Sequence, residues 1–531
     1  MNRLTNILVL AVLLGSSFLL LYGGIDNTHL WGDDFSAYIM QARSLVHRNI
    51  SAYLVANRFT IEQSSDLIGP VAYPWGFPLL LAPIYAFFGF SIVAFKSLNL
   101  ICYLSFLLLL WYSWPVGYSD LSRFVLVALF GWNPYFQEFM NQVLSDIPFL
   151  LFSTLSVILM RRVAVERQWL ISKTGDHLLL GLVMAAAFFI RTNGFLLVVT
   201  LALTQFTSAL KTTTSRETAS SGIPRLFKFG LHTLRSNLLV LTLPYVSFAL
   251  SVMTSRTLLP SGEYSYFWSL KGLSMSVVQQ NIHHYIDALP AFLTGVPHQE
   301  LIYGATIPLA VHGIVQRRRS DYPMIFYVGL TLILYTLWPN TQHLRFLFPI
   351  LPFYAYFVLV GLERSYPKPF DRWAGLWNVV RLSPALLVLL YFGRVSAMNA
   401  NLNLTGHRYK VSGPYLPTAQ EVFSFITKVT ESNSVVLFFK PRAMRLFTGR
   451  PSLMISEAMR LSSGDYLCEY LGEDAYNQLS FDTIARLVKE GRLGLMYQNP
   501  DFRLYRIHKS TNNRALPDSQ PAAVHARIPP L

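Results

Sequence analysis

The sequence predicts an all-α polytopic membrane bundle of about eleven transmembrane helices, with interfacial helices beside them and a small α/β domain outside the membrane at the C-terminal end. Three observations carry this. Of 531 residues 53% are hydrophobic and only 13% charged, with a mean hydropathy of +0.38, more apolar surface than a water-soluble core can bury. Apolar runs long enough to cross roughly 30 Å of hydrocarbon recur along the first three quarters of the chain. After about residue 396 they give way to short alternating runs.

The first run, 5–22, follows a single Arg3 and has no small-residue cleavage site, so it reads as an uncleaved anchor. Further spans are expected at 91–113, 121–140, 146–160, 176–190, 194–210, 236–254, 301–316, 324–339, 344–361 and 377–393. The apolar segment Pro74 to Phe90 carries Pro74, Pro78 and Pro83 and is read as an interfacial or re-entrant helix. Counting it as a span would reverse every later loop. With it at the interface, Arg161, Arg162, Arg167, Lys173, Lys211, Arg216, Arg225, Lys228, Arg235, Arg317 to Arg319, Arg364, Lys368 and Arg372 all fall on the cytoplasmic side with the N-terminus.

The same parity puts two long loops, Gly23 to Phe90 and Ser255 to Glu300, and everything after Arg394 on the outer face. Long loops on a rigid scaffold are where sites are built. The tail reads as a strand in NSVVLFFK, a helix in LGEDAYNQLSFDTIARLVKEG and strands in LGLMYQ and FRLYRI. The expected division is therefore 1–395 for the membrane domain, 396–510 for the outer α/β domain and 511–531 for a disordered end.

The net charge of +15 would suggest nucleic acid in a soluble protein. Here the basic residues sit in short loops between spans, where they set topology, and no nucleic-acid partner is expected. Cys102 and Cys468 are too few and too far apart for a disulfide framework or a thiolate metal site.

Polar residues at the outer ends of spans are the candidates for chemistry. WGDDFSAYIMQARSLV puts Asp33 and Asp34 at the start of an amphipathic helix with Tyr38, Ala42 and Leu45 on one side. One Asp would suffice as an N-cap, and two adjacent like charges cost energy unless something uses them. Asp146, in NQVLSDIPFLLF, stands before another span and also reads as a cap or as a site acid.

Arg191 in RTNG, and His343 with Arg345 in HLRFLFPILPF, supply cations on the same face, either snorkelling to headgroups or clamping phosphate. Tyr73 and Trp75 in YPWG, with the aromatics of EYSYFWSLKG and IHHYIDALPAF, read as an interfacial belt or as contacts to sugar or lipid tail. KPRAMRLFTGR, with Lys440, Arg442 and Arg445, reads as solvated basic surface or as an anionic-glycan site. Asp33, Asp34 and Asp146 offer the oxygen ligands that a divalent cation takes, and the reading leaves the metal open.

In order, DD-x-x-x-Y, YPWG, SDIP, RTNG and LRFLFPILPF resemble the GT-C superfamily of integral-membrane glycosyltransferases over roughly residues 1 to 360. Within it the chain is most similar to bacterial relatives of dolichyl-phosphate-mannose protein mannosyltransferases and of the lipid A aminoarabinose transferase. The resemblance implies transfer of a sugar, with inversion, from a polyprenyl-phosphate carrier to a hydroxyl of a glycan, lipid or protein acceptor. It implies Asp34, or Asp33 in its place, as general base and Asp146 as the residue that orients the acceptor or a cation. Arg191, Arg345 and His343 become donor-phosphate partners, and Tyr38 and Tyr73 substrate contacts. A bacterial inner membrane with a periplasmic C-terminal domain is the implied location. Where the aminoarabinose transferase has a Glu-Lys pair before proline, this chain has Ala72 and Tyr73, which favours a more generic sugar. The competing reading is a transporter or flippase of a lipid-linked glycan, which would place charge near the membrane midplane.

Overall fold

The computed structural model describes residues 3–66, 68–115, 118–166, 172–214, 238–260, 273–365, 374–407, 413–472 and 477–509. The expected aromatics of 263–272, the end 511–531 and Arg167, Arg216, Arg225, Lys228, Arg235, Lys368 and Arg372 lie outside these residues.

The chain divides into two compact units, Met1–Val55 with Pro70–Gly413, and Ala56–Gly69 with Pro414–Leu531. The first is helical. Its helices are α1 Arg3–Gly23, α2 Asp33–Val46, α3 Ile50–Gln63, which runs on into the second unit, α4 Gly76–Phe88, α5 Ile92–Ser113, α6 Asp120–Gly131, α7 Pro134–Met140 and α8 Asp146–Arg161. They continue as α9 Thr174–Ile190, α10 Leu196–Thr214, α11 Leu238–Leu258, α12 Met275–Ala288, α13 Gln299–Arg317, α14 Tyr322–Leu337, α15 Leu351–Ser365 and α16 Ala374–Leu404.

Six helical stretches among the described residues are long and apolar enough to cross a membrane: Arg3–Gly23, Ile92–Ser113, Asp146–Val165, Thr192–Leu210, His343–Ser365 and Leu376–Leu404. By length and composition this is a multi-pass membrane protein. The count of eleven is not reached by that standard. The expected span 121–140 is broken at Trp132 and Asn133, where Asn133 caps α7 by accepting from Tyr135 N–H at 2.9 Å and Pro134 opens it. Thr174–Ile190 and Tyr322–Leu337 are shorter apolar helices, as is Gly76–Phe88 in the proline-rich segment. Leu238–Leu258 and Gln299–Arg317 are helical with Pro244 and Pro308 inside them.

Two buried ionic clusters mark the opposite ends of α8, about 22 Å apart at the usual rise per residue. At its C-terminal end Arg161 Nε lies 2.9 Å from Asp321, which also takes Arg317 at 2.7 Å and the Tyr356 hydroxyl at 2.6 Å. Asp146 anchors the other.

The second unit holds helices α17 Pro417–Val429, α18 Pro441–Thr448 and α19 Phe481–Lys489 beside a five-stranded sheet. Its strands are β1 Val436–Leu437, β2 Ser452–Leu453, β3 Tyr466–Tyr470, β4 Leu493–Gln498 and β5 Phe502–Ile507, in the order β2-β1-β3-β5-β4. β1 pairs parallel with β2 and β3, and β5 pairs antiparallel with β3 and β4. Leu437, Leu453, Leu467, Ile484 and Leu493 lie in its core.

The division differs from the expected one at both ends. α16 runs through residue 395 to Leu404, and the stretch 56–69 joins the second unit. Thr60 Oγ1 donates to Ser452 O at 3.0 Å, and Met454 N–H donates to Ser64 Oγ at 3.0 Å. KPRAMRLFTGR is not solvated surface: Lys440, Arg442 and Arg445 are buried, and Arg442 reaches Asn57 Oδ1 and Ile68 O at 3.2 Å each. A guanidinium fork satisfied by protein oxygens is not open to a polyanion.

Candidate active site

α2 begins after Gly32, an extended residue in the cap position where no side-chain cap bond forms. Neither aspartate of the pair is therefore spent as the cap. Asp33 is buried, whereas the Asp34 side chain is 33% exposed, enough for a substrate to reach it. One turn on, Tyr38 is buried and shares a hydrogen bond of 3.0 Å with Ser145 Oγ. Burial, reinforced by the nearby Asp34 charge, raises the Tyr38 hydroxyl above its ordinary range, so it stays protonated.

The YPWG segment comes to the same place. The Tyr73 hydroxyl donates to Asp34 Oδ1 at 2.5 Å, and its ring packs 4.8 Å from that of Tyr38. Gln41, two turns along α2 from Asp34, fixes the Tyr73 backbone through Nε2 to O at 3.0 Å and N–H to Oε1 at 3.1 Å. Tyr73 therefore contacts the acid itself, not only a belt.

Asp146 opens α8 after Ser145, again with no side-chain cap bond. Its side chain is 2% exposed and holds two cations: Arg191 pairs with Oδ1, and Arg345 reaches Oδ2 through Nε at 2.9 Å and Nη2 at 2.8 Å. Arg345 Nη2 also lies 3.8 Å from Asp34 Oδ2. The two carboxylates thus flank one guanidinium, and two arginines converge on one carboxylate, a donor set suited to an added oxyanion.

Backbone geometry aims Arg191. α9 ends at Ile190, Arg191 is extended (φ −148°, ψ 133°), and a 3₁₀ turn Thr192–Phe195 leads into α10. A Cβ on Gly194 would come within 2.7 Å of Phe188 N, and one on Gly76 within 2.7 Å of Ile190 N, so both glycines permit backbone contact around Arg191. Arg191 lies 5.7 Å from the Phe346 ring, which stacks on Tyr335 at 4.7 Å.

His343 is not brought into this group by any polar contact of its ring. It is exposed, in the left-handed region at φ 46°, and its backbone N–H donates to His284 Nε2 at 3.2 Å. Among the described residues no three His, Cys, Asp or Glu side chains lie together so as to hold a metal ion. Asp146 is instead matched to two guanidiniums, so Asp33, Asp34 and Asp146 do not form a ligand set.

Two features escaped the sequence reading. Tyr135, on α7, feels the charges of Glu138, Asp146 and Arg345, and burial with the two carboxylates pushes its hydroxyl up to about 12. Lys96 lies inside a predicted span, yet its side chain is fully buried and paired with Asp26 at 3.1 Å. Burial alone would raise the Asp26 carboxyl; Lys96 and hydrogen bonds from Asn141 and Thr28 outweigh it and hold it at about 2. A carboxylate held below its ordinary value of 3.8 stabilises the fold above that value and loses the contribution as pH falls towards 2. The expected contribution at neutral pH is about 2 kcal/mol. The melting-temperature advantage of wild type over Asp26→Asn in detergent should shrink between pH 5 and pH 2, and an unchanged gap would contradict this.

No protein-family model matches the chain, and no curated protein matches it. Solved structures do match. ArnT from Cupriavidus metallidurans superposes with TM-score 0.52 at 14% identity in its apo state, covering 94% of this chain and 97% of that one. The Archaeoglobus fulgidus oligosaccharyltransferase superposes with TM-score 0.56 at 11% identity over 96% of this chain and 75% of that one. The chain has the GT-C fold. The mycobacterial arabinofuranosyltransferase AftD extends the comparison, with TM-score 0.53 at 11% identity over 96% of this chain and 42% of its own. Within this fold Tyr73, Asp34, Arg345, Asp146 and Arg191 form one connected polar group, with Tyr38 packed against Tyr73.

Proposed function

We propose that this GT-C protein transfers a sugar from a polyprenyl-phosphate carrier to an acceptor hydroxyl at the outer face of a bacterial inner membrane. The observation that carries the reading is the placement of an open acid, Asp34, 3.8 Å from an arginine that is itself shared with buried Asp146. A base and a phosphate clamp then lie within reach of one bound sugar phosphate. ArnT from Cupriavidus metallidurans has been solved with undecaprenyl phosphate bound, which supports a carrier of that class.

In the proposed reaction the acceptor oxygen attacks the anomeric carbon while its proton passes to the Asp34 carboxylate. The bond from that carbon to the phosphate oxygen breaks, with inversion, and polyprenyl phosphate leaves against Arg345 and Arg191. Tyr73 holds the Asp34 carboxylate in orientation through its 2.5 Å hydrogen bond. Asp146, saturated by two arginines, serves to set their positions, which leaves acceptor orientation to more exposed groups.

Binding of undecaprenyl phosphate to the purified protein tests the clamp. Arg345→Ala should weaken it by tenfold or more, the usual scale for a charge-assisted phosphate contact of about 1.4 kcal/mol or above. Wild-type affinity in that variant would remove the phosphate site from the account.

A further inference from the structure

Lys96 occupies the second turn of α5, inside an apolar helix, and its side chain has no solvent exposure. Four oxygens share the three N–H donors of its ammonium: Asp26 O at 2.9 Å, Asp26 Oδ1 at 3.1 Å, Thr28 O at 2.5 Å and Asn141 Oδ1 at 2.6 Å. Three acceptors belong to the loop between α1 and α2, and the fourth to the turn between α7 and α8. These two segments lead into the helices that begin with Asp33 and Asp34 and with Asp146 respectively.

The two segments are stitched further around the same point. Asp26 N–H donates to Asn141 Oδ1 at 3.0 Å, and Asn141 Nδ2 donates back to Asp26 Oδ2 at 2.8 Å. His29 Nε2 accepts from Val143 N–H at 3.0 Å, which leaves its Nδ1–H to donate to Leu30 O at 2.8 Å. The His29 ring stacks on Phe35, the residue after Asp34, with centroids 3.9 Å apart. One turn along α5 from Lys96, Asn99 Nδ2 donates to Gln142 O at 2.7 Å.

We propose that Lys96 is a positioning residue that pins the loop leading to Asp34 onto the turn leading to Asp146, and so sets the spacing between the acid and the arginine pair. This rests on the reading of Asp34 and Arg345 given above. A buried ion pair is a poor means of stabilising a bundle compared with apolar packing. It is a good means of fixing one register, because its three N–H groups are shared among acceptors from both segments and the 2.6 Å bond to Asn141 Oδ1 forms only when the loop and the turn are in place together. The chain from Asn141 to Asp146, and that from His29 to Asp34, is only five residues long in each case, so slack at the clamp reaches the acids directly.

The test is the double variant Lys96→Met with Asp26→Asn, which removes both charges together and leaves neither buried alone. Undecaprenyl phosphate release from lipid-linked donor in membranes of the expressing cells gives turnover, and binding of added undecaprenyl phosphate reports the clamp on phosphate. The double variant should bind undecaprenyl phosphate within threefold of wild type while kcat falls on the order of a hundredfold, as misplacement of about 1 Å does. His29→Phe keeps the ring on Phe35 but loses the acceptor for Val143; it should lower kcat about tenfold, again with binding kept. It decides the matter if the double variant does not fold. Wild-type kcat in a folded double variant, or in His29→Phe, overturns the proposal. A wild-type protein that neither binds undecaprenyl phosphate nor loses turnover on Asp34→Asn overturns the functional reading instead.

Discussion

Asp34→Asn should lower turnover about 10³-fold, the middle of the range for loss of a general base, while undecaprenyl phosphate still binds within about threefold. The amide keeps the size of the carboxylate and can still accept from the Tyr73 hydroxyl, which donates to Asp34 Oδ1 at 2.5 Å. Only the proton acceptor is lost. Asp34 also contributes little to holding Arg345, since its 3.8 Å approach is outmatched by the 2.8 and 2.9 Å contacts from Asp146. Turnover and affinity should therefore separate, and equal losses in both would mean that Asp34 binds rather than reacts. The same substitution at Asp33, which is buried, should act mainly through stability.

Asp146→Ala should be the most damaging single change to the fold of the first unit, costing about 3–5 kcal/mol. The Asp146 side chain is 2% exposed and pairs with both Arg191 and Arg345, which are only 18% and 16% exposed. Removing it leaves two guanidiniums facing each other with only the more distant Asp34, 3.8 Å from Arg345, as counter-charge. Reversible unfolding in mixed micelles measures the loss, and a cost under about 1 kcal/mol would show that water or lipid already screens the cluster. Asp146→Asn should recover packing but not charge, and fall between.

Much of this site was legible because a membrane makes polar residues conspicuous. Asp146, Arg191 and Arg345 each border an apolar run, Asp34 lies in the loop after the first one, and loop parity assigned all four to one face. Whether the acids were mere caps was not legible, since that depends on where a side chain turns; Gly32 takes the cap position of α2, and Ser145 spends its hydroxyl on Tyr38. His343 was grouped with Arg345 by adjacency, but its positive φ turns the backbone N–H to His284.

Lys96 was missed because a lone lysine near the end of an apolar run reads as snorkelling. Its partners are 45 to 70 residues away, beyond the reach of any local pattern. The second unit shows the same limit. Alternation revealed β1, β4 and β5, whereas β3, which lies between β1 and β5, and the two-residue β2 have too little pattern of their own. Nothing in ISAYLVANRFTIEQ announces that Thr60 and Ser64 bond to residues nearly 400 positions later.

The central claim is that a lipid-linked sugar is used up at Asp34. The most direct measurement is mass spectrometry of polyprenyl-phosphate sugars and envelope glycans from cells whose sole copy carries Asp34→Asn. The account predicts that one polyprenyl-phosphate sugar accumulates and that one glycan or glycosylated acceptor lacks a single sugar. Unchanged glycans in this variant would contradict it, and donor stranded on the cytoplasmic leaflet would make the protein a flippase instead.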